Sequence, residues 1–169
     1  MTLMAGVSAK APRDDFIAAM RRVAASVTVV TTDGPAGRHG ATVSAFNSLS
    51  ADPPSVLICL RSDSHIARVV MANACFCVNV LPEDAPDLAQ RFSGAQDQEV
   101  SDRFDGIPLA PSKANCPALA GATAFHCRLE DCAAHGSHLI LIGQVSLVSR
   151  GDAAPLAWMD GRFHCVHPQ

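Results

Sequence analysis

Apolar, β-branched runs alternate along this chain with short polar breaks rich in glycine and proline. Asp14 and Asp15 open a segment in which Phe16, Ile17, Met20, Val23 and Ala24 recur at three- and four-residue spacing. This predicts an amphipathic helix with its acids at the positive N-terminal end. Residues 26–32 (SVTVVTT) are mostly β-branched and predict a strand. The run 33–40 (DGPAGRHG) is a turn, so the next strand, 41–49, should return antiparallel to the first. After the break at Asp52-Pro53-Pro54 comes an apolar strand, 55–60 (SVLICL). A helix over 64–72 follows, with Ser62, Asp63 or Ser64 as its N-cap. Residues 75–81 (CFCVNVL) predict a strand, and 84–92 a short helix capped by Glu83 or Asp84. Residues 96–113 are polar and punctuated by glycine and proline, which marks a surface excursion. Two long strands, 122–131 and 139–149, flank a turn at His135-Gly136-Ser137, and short strands at 156–159 and 162–166 close the chain.

Six or more strands joined mainly by hairpins, with three short helices, predict a mainly β fold. A closed or split antiparallel β-barrel fits this order better than a doubly wound sheet. No linker or internal repeat interrupts it, so one domain is expected over 13–169, behind a flexible segment 1–12.

Composition narrows the function classes. With 169 residues, half of them hydrophobic, the chain can bury one sizeable core. The formal charge is −3 and no Lys/Arg run tracks a phosphate backbone, which argues against nucleic acid as a partner. Apolar runs such as 75–81 and 139–143 are far shorter than the roughly 20 residues that span a bilayer. The start of the chain lacks a sustained apolar region, so the expected location is cytoplasmic, with no membrane association. Seven cysteines, an odd number scattered through apolar strands, read as reduced thiols. Cys127, Cys132, His135 and His138 are close in sequence, but they include no Cys-x-x-Cys pair. On one regular strand Cys127 and Cys132 would also face opposite sides, so no metal site is expected.

The common catalytic signatures are missing. Gly34, Gly37 and Gly40 sit three apart in a hairpin turn, which is neither a dinucleotide fingerprint nor a P-loop. There is no Gly-x-Ser-x-Gly elbow and no His-Glu-x-x-His. The informative stretch is 40–64, GATVSAFNSLSADPPSVLICLRSDS. Thr42, Val43, Ser44 and Ala45 are small enough for a strand to approach a flat ring closely, and Phe46 is free to face the core. Asn47, Ser48 and Ser50 add polar groups along the same edge. By themselves these hydroxyls would equally suit the solvent face of an antiparallel sheet.

That stretch, taken with the TVVTT strand, Cys-Val-Asn-Val-Leu at 77–81, Arg91-Phe92, the Gly136-Ser137-His138 turn and Gly161-Arg162-Phe163-His164, resembles the flavin reductase-like, FMN-binding split-barrel family. The resemblance runs from Asp14 to Val166 and is similar in flavour to the small reductase components of two-component monooxygenases. It implies an NAD(P)H-dependent flavin reductase, with FMN or FAD as flavin and NADH or NADPH as reductant. Flavin contacts are implied along Thr42, Val43, Ser44, Ala45, Asn47, Ser48, Ser50 and Cys59. The phosphate is implied near Arg61, Ser62 and Ser64, where hydroxyls, amides and a helix dipole converge. Arg91, beside Phe92, is a candidate counter-charge, and Asp63 should face away from any phosphate.

His138 matches the family's Gly-Asp-His turn, with serine here in place of aspartate, and is the implied catalytic contact on the nicotinamide side. Arg162 and Phe163 are implied contacts to the dinucleotide. Open sheet edges further imply a homodimer, and a separate flavin-dependent monooxygenase would receive the reduced flavin. Two other readings of the same barrel are a pyridoxamine phosphate oxidase-like FMN oxidase and a non-catalytic flavin- or haem-binding protein. The oxidase would want a denser basic cage than Arg61 and Arg91 provide.

Overall fold

A computed structural model describes residues 10–169, so most of the expected flexible segment 1–12 lies outside the described residues. The chain runs α1 (Arg13–Met20), β1 (Ala25–Ser26), β2 (Thr28–Thr32), β3 (His39–Val43), β4 (Phe46–Ala51), β5 (Pro54–Arg61), α2 (His65–Asn73), β6 (Cys75–Val80), α3 (Pro86–Ser93), β7 (Thr123–His135), β8 (His138–Ser149), β9 (Leu156–Met159) and β10 (Arg162–Cys165). Seven strands form one antiparallel sheet in the order β3-β2-β6-β7-β8-β5-β4, and β1-β9-β10 form a second, small one.

The expected single strand 41–49 is two strands, broken at Ser44-Ala45, and they sit at opposite edges of the large sheet. In a flat sheet those edges would lie about 29 Å apart. Two connecting residues reach only about 10 Å. The sheet therefore rolls until its edges meet, and β3 touches β5 across the seam. A split barrel follows from this connectivity.

Inside the roll, Val30, Ile58, Leu60, Phe76, Val78 and Leu141 pack against Ile66, Ala67 and Val70 of α2, which plugs one end. Phe46 faces this core, as alternation allows. A second core lies outside the barrel wall, where Val29, Leu81, Phe92, Phe104, Leu119 and Leu156 pack beneath α3 and the 96–122 excursion. Both faces of β2 are thus covered, which explains why all five of its residues are buried.

Long β7 carries two register shifts, at His126/Cys127 and Leu129/Asp131. The second shift reverses the alternation, so Cys127 and Cys132 both pack against the inner core instead of facing opposite sides. Gly143 on β8 is needed at a close approach, because a β-carbon there would meet the Phe76 ring and lie 2.8 Å from Cys127 Cβ. Gly143→Ala is expected to cost about 1–3 kcal/mol through overpacking, read as a lower urea midpoint with an unchanged m-value.

Helix α1 departs from expectation. It stops at Met20, buries no residue, and leaves Phe16, Met20 and Val23 exposed. Helix α3 lacks the expected acidic cap; Ala85 occupies the N-cap and Pro86 begins the helix, where its missing N–H costs nothing. Among the described residues no helix is long and apolar enough to cross a membrane.

Candidate functional site

The seam places the two halves of the implied site in one line. Ser44 and Ala45 bridge β3 and β4, and the Ala45 carbonyl accepts from Cys59 N–H at 3.0 Å. Two residues further along β5, about 7 Å at strand rise, Arg61 pairs in register with His138 of β8. Beyond it, Ser62 N–H and its hydroxyl both donate to the Ser137 carbonyl, at 3.0 and 3.2 Å. The loop that opens α2 is thereby stitched to the turn carrying His138. Ser137 stands where the family pattern has aspartate, and its hydroxyl lies 3.0 Å from His138 Nδ1, so it still orients the ring.

Two clefts flank Ser44. One, about 340 Å³, is lined by Thr42, Val43, Ser44, Ala89, Gln90, Ser93, Trp158 and Phe163. The other, about 780 Å³, runs under α1 past Ala45, Phe46 and Asn47 and again reaches Trp158. Ser44 and Trp158 belong to both, so the clefts form one groove along the seam. Trp158 meets Phe163 edge-on at a centroid distance of 4.9 Å. The two are direct partners across the β9–β10 hairpin, whose turn residues Asp160 and Gly161 have φ of 50° and 74°. Trp158 was not among the residues singled out from sequence. The Asp-Gly turn signal places the residue two before it opposite Phe163, which would have found it.

The groove fits a flavin. Small exposed residues at Ser44 and Ala45 let a planar ring lie against the backbone, and Trp158 and Phe163 supply apolar walls. Ser64 caps α2, accepting from Ala67 N–H at 3.3 Å. The His65 and Ile66 N–H groups, in the first helical turn, have no intrahelical acceptor, the arrangement by which helix N-termini receive anions. The serine hydroxyls are less free than expected, because Ser64 Oγ donates to the Arg61 carbonyl at 2.6 Å and Ser62 Oγ to Ser137.

Asp63 has a partner of its own. It binds Arg61 through two hydrogen bonds of 3.1 and 2.8 Å, which hold its carboxyl below the usual carboxylate range. Arg68 donates to the Asp63 carbonyl at 2.9 Å, so two guanidinium groups and one carboxylate converge here. A bound phosphate would compete with Asp63 for Arg61.

Other expected contacts lie elsewhere. Phe92 is fully buried in the outer core and offers its ring no ligand surface. The Arg91 guanidinium donates to the carbonyls of Asp102, Arg103 and Asp105, bracing that loop. Ser50 sits at the far end of β4, where its hydroxyl bridges to Asp52 N–H and carbonyl. Ser48 is exposed in mid-strand, between these extremes. Arg162 is exposed beside Phe163. The Cys127, Cys132, His135 and His138 stretch is not gathered. Among the described residues, the one group of three possible metal ligands is Glu83, Cys165 and His167, near the end of the chain.

A second polar cleft, about 500 Å³, adjoins the loop and holds Arg38, His39, Asp97, Asp102 and Arg103. Burial, with help from Arg103 and His65, lowers the His39 pKa to about 4. Below pH 6.5 the unfolded chain then binds a proton that the folded protein refuses, so stability falls as pH drops from about 6.5 to about 4. The ring is half exposed, and with solvent screening the expected loss is about 1–2 kcal/mol. A His39→Gln variant should show a flatter Tm-versus-pH curve over that window.

The comparisons agree with this geometry. The chain is 37% identical over 159 residues to the FMN reductase (NADH) RutF of Stutzerimonas stutzeri (strain A1501), covering 93% of this chain and 90% of that protein. Its fold is similar to the NADH:FAD oxidoreductase SgcE6 of Streptomyces globisporus C-1027, solved with NAD and FAD fragments. There the TM-score is 0.83 at 28% identity, over 92% of this chain and 93% of that one. The styrene monooxygenase flavin reductase SMOB from Pseudomonas putida S12 gives a TM-score of 0.78 at 28% identity, covering 91% and 99%. The flavin reductase like domain model matches residues 20–167. With a rolled sheet, a flavin-sized groove at its seam and a match over nearly its whole length, this chain belongs to the flavin reductase-like domain family.

Proposed function

We propose that this chain is an NADH-dependent FMN reductase that passes reduced flavin to a separate oxygenase and works as a homodimer in the cytoplasm. The observation that carries the reading is the continuous line from the seam groove at Ser44-Ala45, through Cys59, to the α2 N-terminus and His138. A ligand of FMN's length would lie along it with its ring at the groove and its phosphate at the helix.

When bound, the flavin accepts a hydride from the nicotinamide, and that chemistry belongs to the cofactors. The chain's own residues bind and orient. Ser44 and Ala45 admit the ring, and Trp158 and Phe163 wall the groove. The His65 and Ile66 amides, with Arg61 drawn from Asp63, receive the phosphate. His138, held by Ser137, would meet the nicotinamide side of the flavin. No acid, base or nucleophile is required of the protein, whose residues would hold the two rings in reacting orientation.

NADH as reductant and FMN as flavin are favoured by the name of the 37%-identical relative. Transfer to an oxygenase is favoured by the likeness to a styrene monooxygenase reductase and by the openness of the groove among the described residues. Exposed apolar residues on α1 and at Leu49 of the edge strand β4 favour self-association. Seven free thiols suit a reducing compartment.

Steady-state nicotinamide oxidation with FMN, FAD and riboflavin in turn tests the reading. NADH with FMN should give the highest kcat/KM; no flavin-dependent oxidation with any pair would refute it. His138→Ala is expected to raise the KM for NADH about tenfold, the loss of about 1.4 kcal/mol of binding, with the FMN Kd unchanged.

A further inference from the structure

Apart from the seam groove, with which its cleft shares no lining residue, the first residue of β6 meets the loop that leads back to β7. Cys75 Sγ and Cys116 Sγ lie 3.1 Å apart, with the Cys116 thiol donating toward the Cys75 sulfur. The pair is not a buried accident of packing. Cys75 is half-buried and, with Cys116, lines an open cleft of about 310 Å³ that also holds Lys113, His126 and Arg128. Neither sulfur touches the flavin groove. Cys75 follows the C-terminal cap of α2, whereas the implied phosphate site is at that helix's other end.

We propose that Cys75 and Cys116 form a peroxide-reactive dithiol that closes to a reversible disulfide. The substrate class is a small peroxide, which reduced flavin generates with oxygen whenever no oxygenase takes it. Cys75, the more exposed residue of the two, attacks one peroxide oxygen; the O–O bond breaks, the leaving hydroxide takes up the Cys75 thiol proton as water, and Cys75 becomes a sulfenic acid. Cys116 then attacks the Cys75 sulfur; the S–O bond breaks, the S–S bond forms, and the Cys116 proton leaves with the departing hydroxide as water. Two thiols and one hydrogen peroxide thus give one disulfide and two waters.

The order of events follows from the surroundings. Burial and the hydrogen bond to Cys75 push the Cys116 thiol up to about 12, so it keeps its proton until Cys75 has been oxidised. Covalent closure needs the sulfurs to approach by about 1 Å more to reach bonding distance. Cys116 lies on a loop rather than in the sheet, so the loop can supply the movement. Cys77, two residues along the same strand, is fully buried and turned to Asn79, which leaves it out of the reaction.

The test adds hydrogen peroxide to the reduced, purified protein, so it does not depend on reductase activity. The expected result is a mass lower by two hydrogens, two of the seven thiols lost to a thiol reagent, and a single cross-linked peptide pair containing Cys75 and Cys116. Dithiothreitol should restore the starting mass, and the oxidised form should show a raised Tm because the bridge closes a long loop. Cys116→Ser should abolish the cross-link and leave a Cys75 sulfenic acid that dimedone traps, while Cys75→Ser should abolish both products. Both variants lie outside the groove and should keep wild-type FMN reduction. A cross-link through a different cysteine pair, or no intramolecular cross-link in folded wild-type protein, overturns the proposal.

Discussion

Ser44→Phe is expected to weaken FMN binding by at least about 100-fold, roughly 2.8 kcal/mol, and to lower kcat/KM for flavin by a similar factor. Ser44 is the residue at which the two clefts of the groove meet. It is exposed and lies in the bend between β3 and β4, so a larger side chain clashes with nothing in the folded core. The benzyl group instead projects into the space a flavin ring must occupy, between Trp158 and the Ala45 backbone. Surface changes of this kind usually alter stability by no more than about 0.5 kcal/mol, so Tm should move by less than about 2 °C. Flavin fluorescence titration and a thermal melt on the same variant separate the two effects. Wild-type FMN affinity in Ser44→Phe would move the flavin away from the seam.

Asn79→Leu is the complementary case, expected to leave the groove's chemistry intact but to cost stability. Asn79 is fully buried, and all its polar atoms are used. Its amide donates to the Val29 carbonyl at 3.0 Å and to Thr31 Oγ1 at 3.2 Å, while its carbonyl accepts from Leu119 N–H at 2.8 Å. Thr31 in turn donates to the Pro117 carbonyl at 2.5 Å. This network is the polar clamp holding the 104–119 excursion onto β2 and β6, and beneath that excursion lies the outer core with Phe92 and Phe104. Leucine fills a similar volume but strands the Leu119 N–H in a dry site. Losing a buried partner costs about 1–3 kcal/mol for each group left unsatisfied. A total of about 2–4 kcal/mol lowers Tm by about 5–12 °C for a chain of this size. Proteolysis near 110–118 should become faster before global unfolding. Unchanged Tm and protease resistance would show that apolar packing alone holds the loop.

Much of this was legible in the residues, for identifiable reasons. The strands at 55–60, 75–81 and 139–149 appear close to their expected bounds because their apolar runs end at sharp turn signals. Ser64, one of three cap candidates in the run 62–64, is the residue that caps α2. The break at Ser44-Ala45 was not legible, because nothing in a run of small and hydroxyl residues marks where a strand leaves one sheet edge for the other. Closure of the barrel decides that point, and closure is a property of all seven strands together. The reversal along β7 was hidden for a similar reason: a bulge shifts alternation by one residue without a distinctive residue type.

At the site, single positions misled where a side chain had a nearer partner than a ligand. Arg91 finds three carbonyls, and Ser50 finds the backbone of Asp52. Such partners come from turns and loops whose geometry a linear pattern does not record. The placement of His138 beside Arg61 is different. It comes from the antiparallel register of β5 and β8, a pairing of strands far apart in the chain that no local pattern assigns.

The central claim is that the seam groove holds a flavin where a nicotinamide can reach it. Anaerobic mixing of the protein, one equivalent of FMN and excess NADH tests it directly, with the yellow flavin absorbance followed in time. Bleaching should be many times faster than in the same mixture without protein, and the acceleration should disappear with Ser44→Phe. Bleaching at the protein-free rate, or a rate indifferent to that substitution, would contradict it.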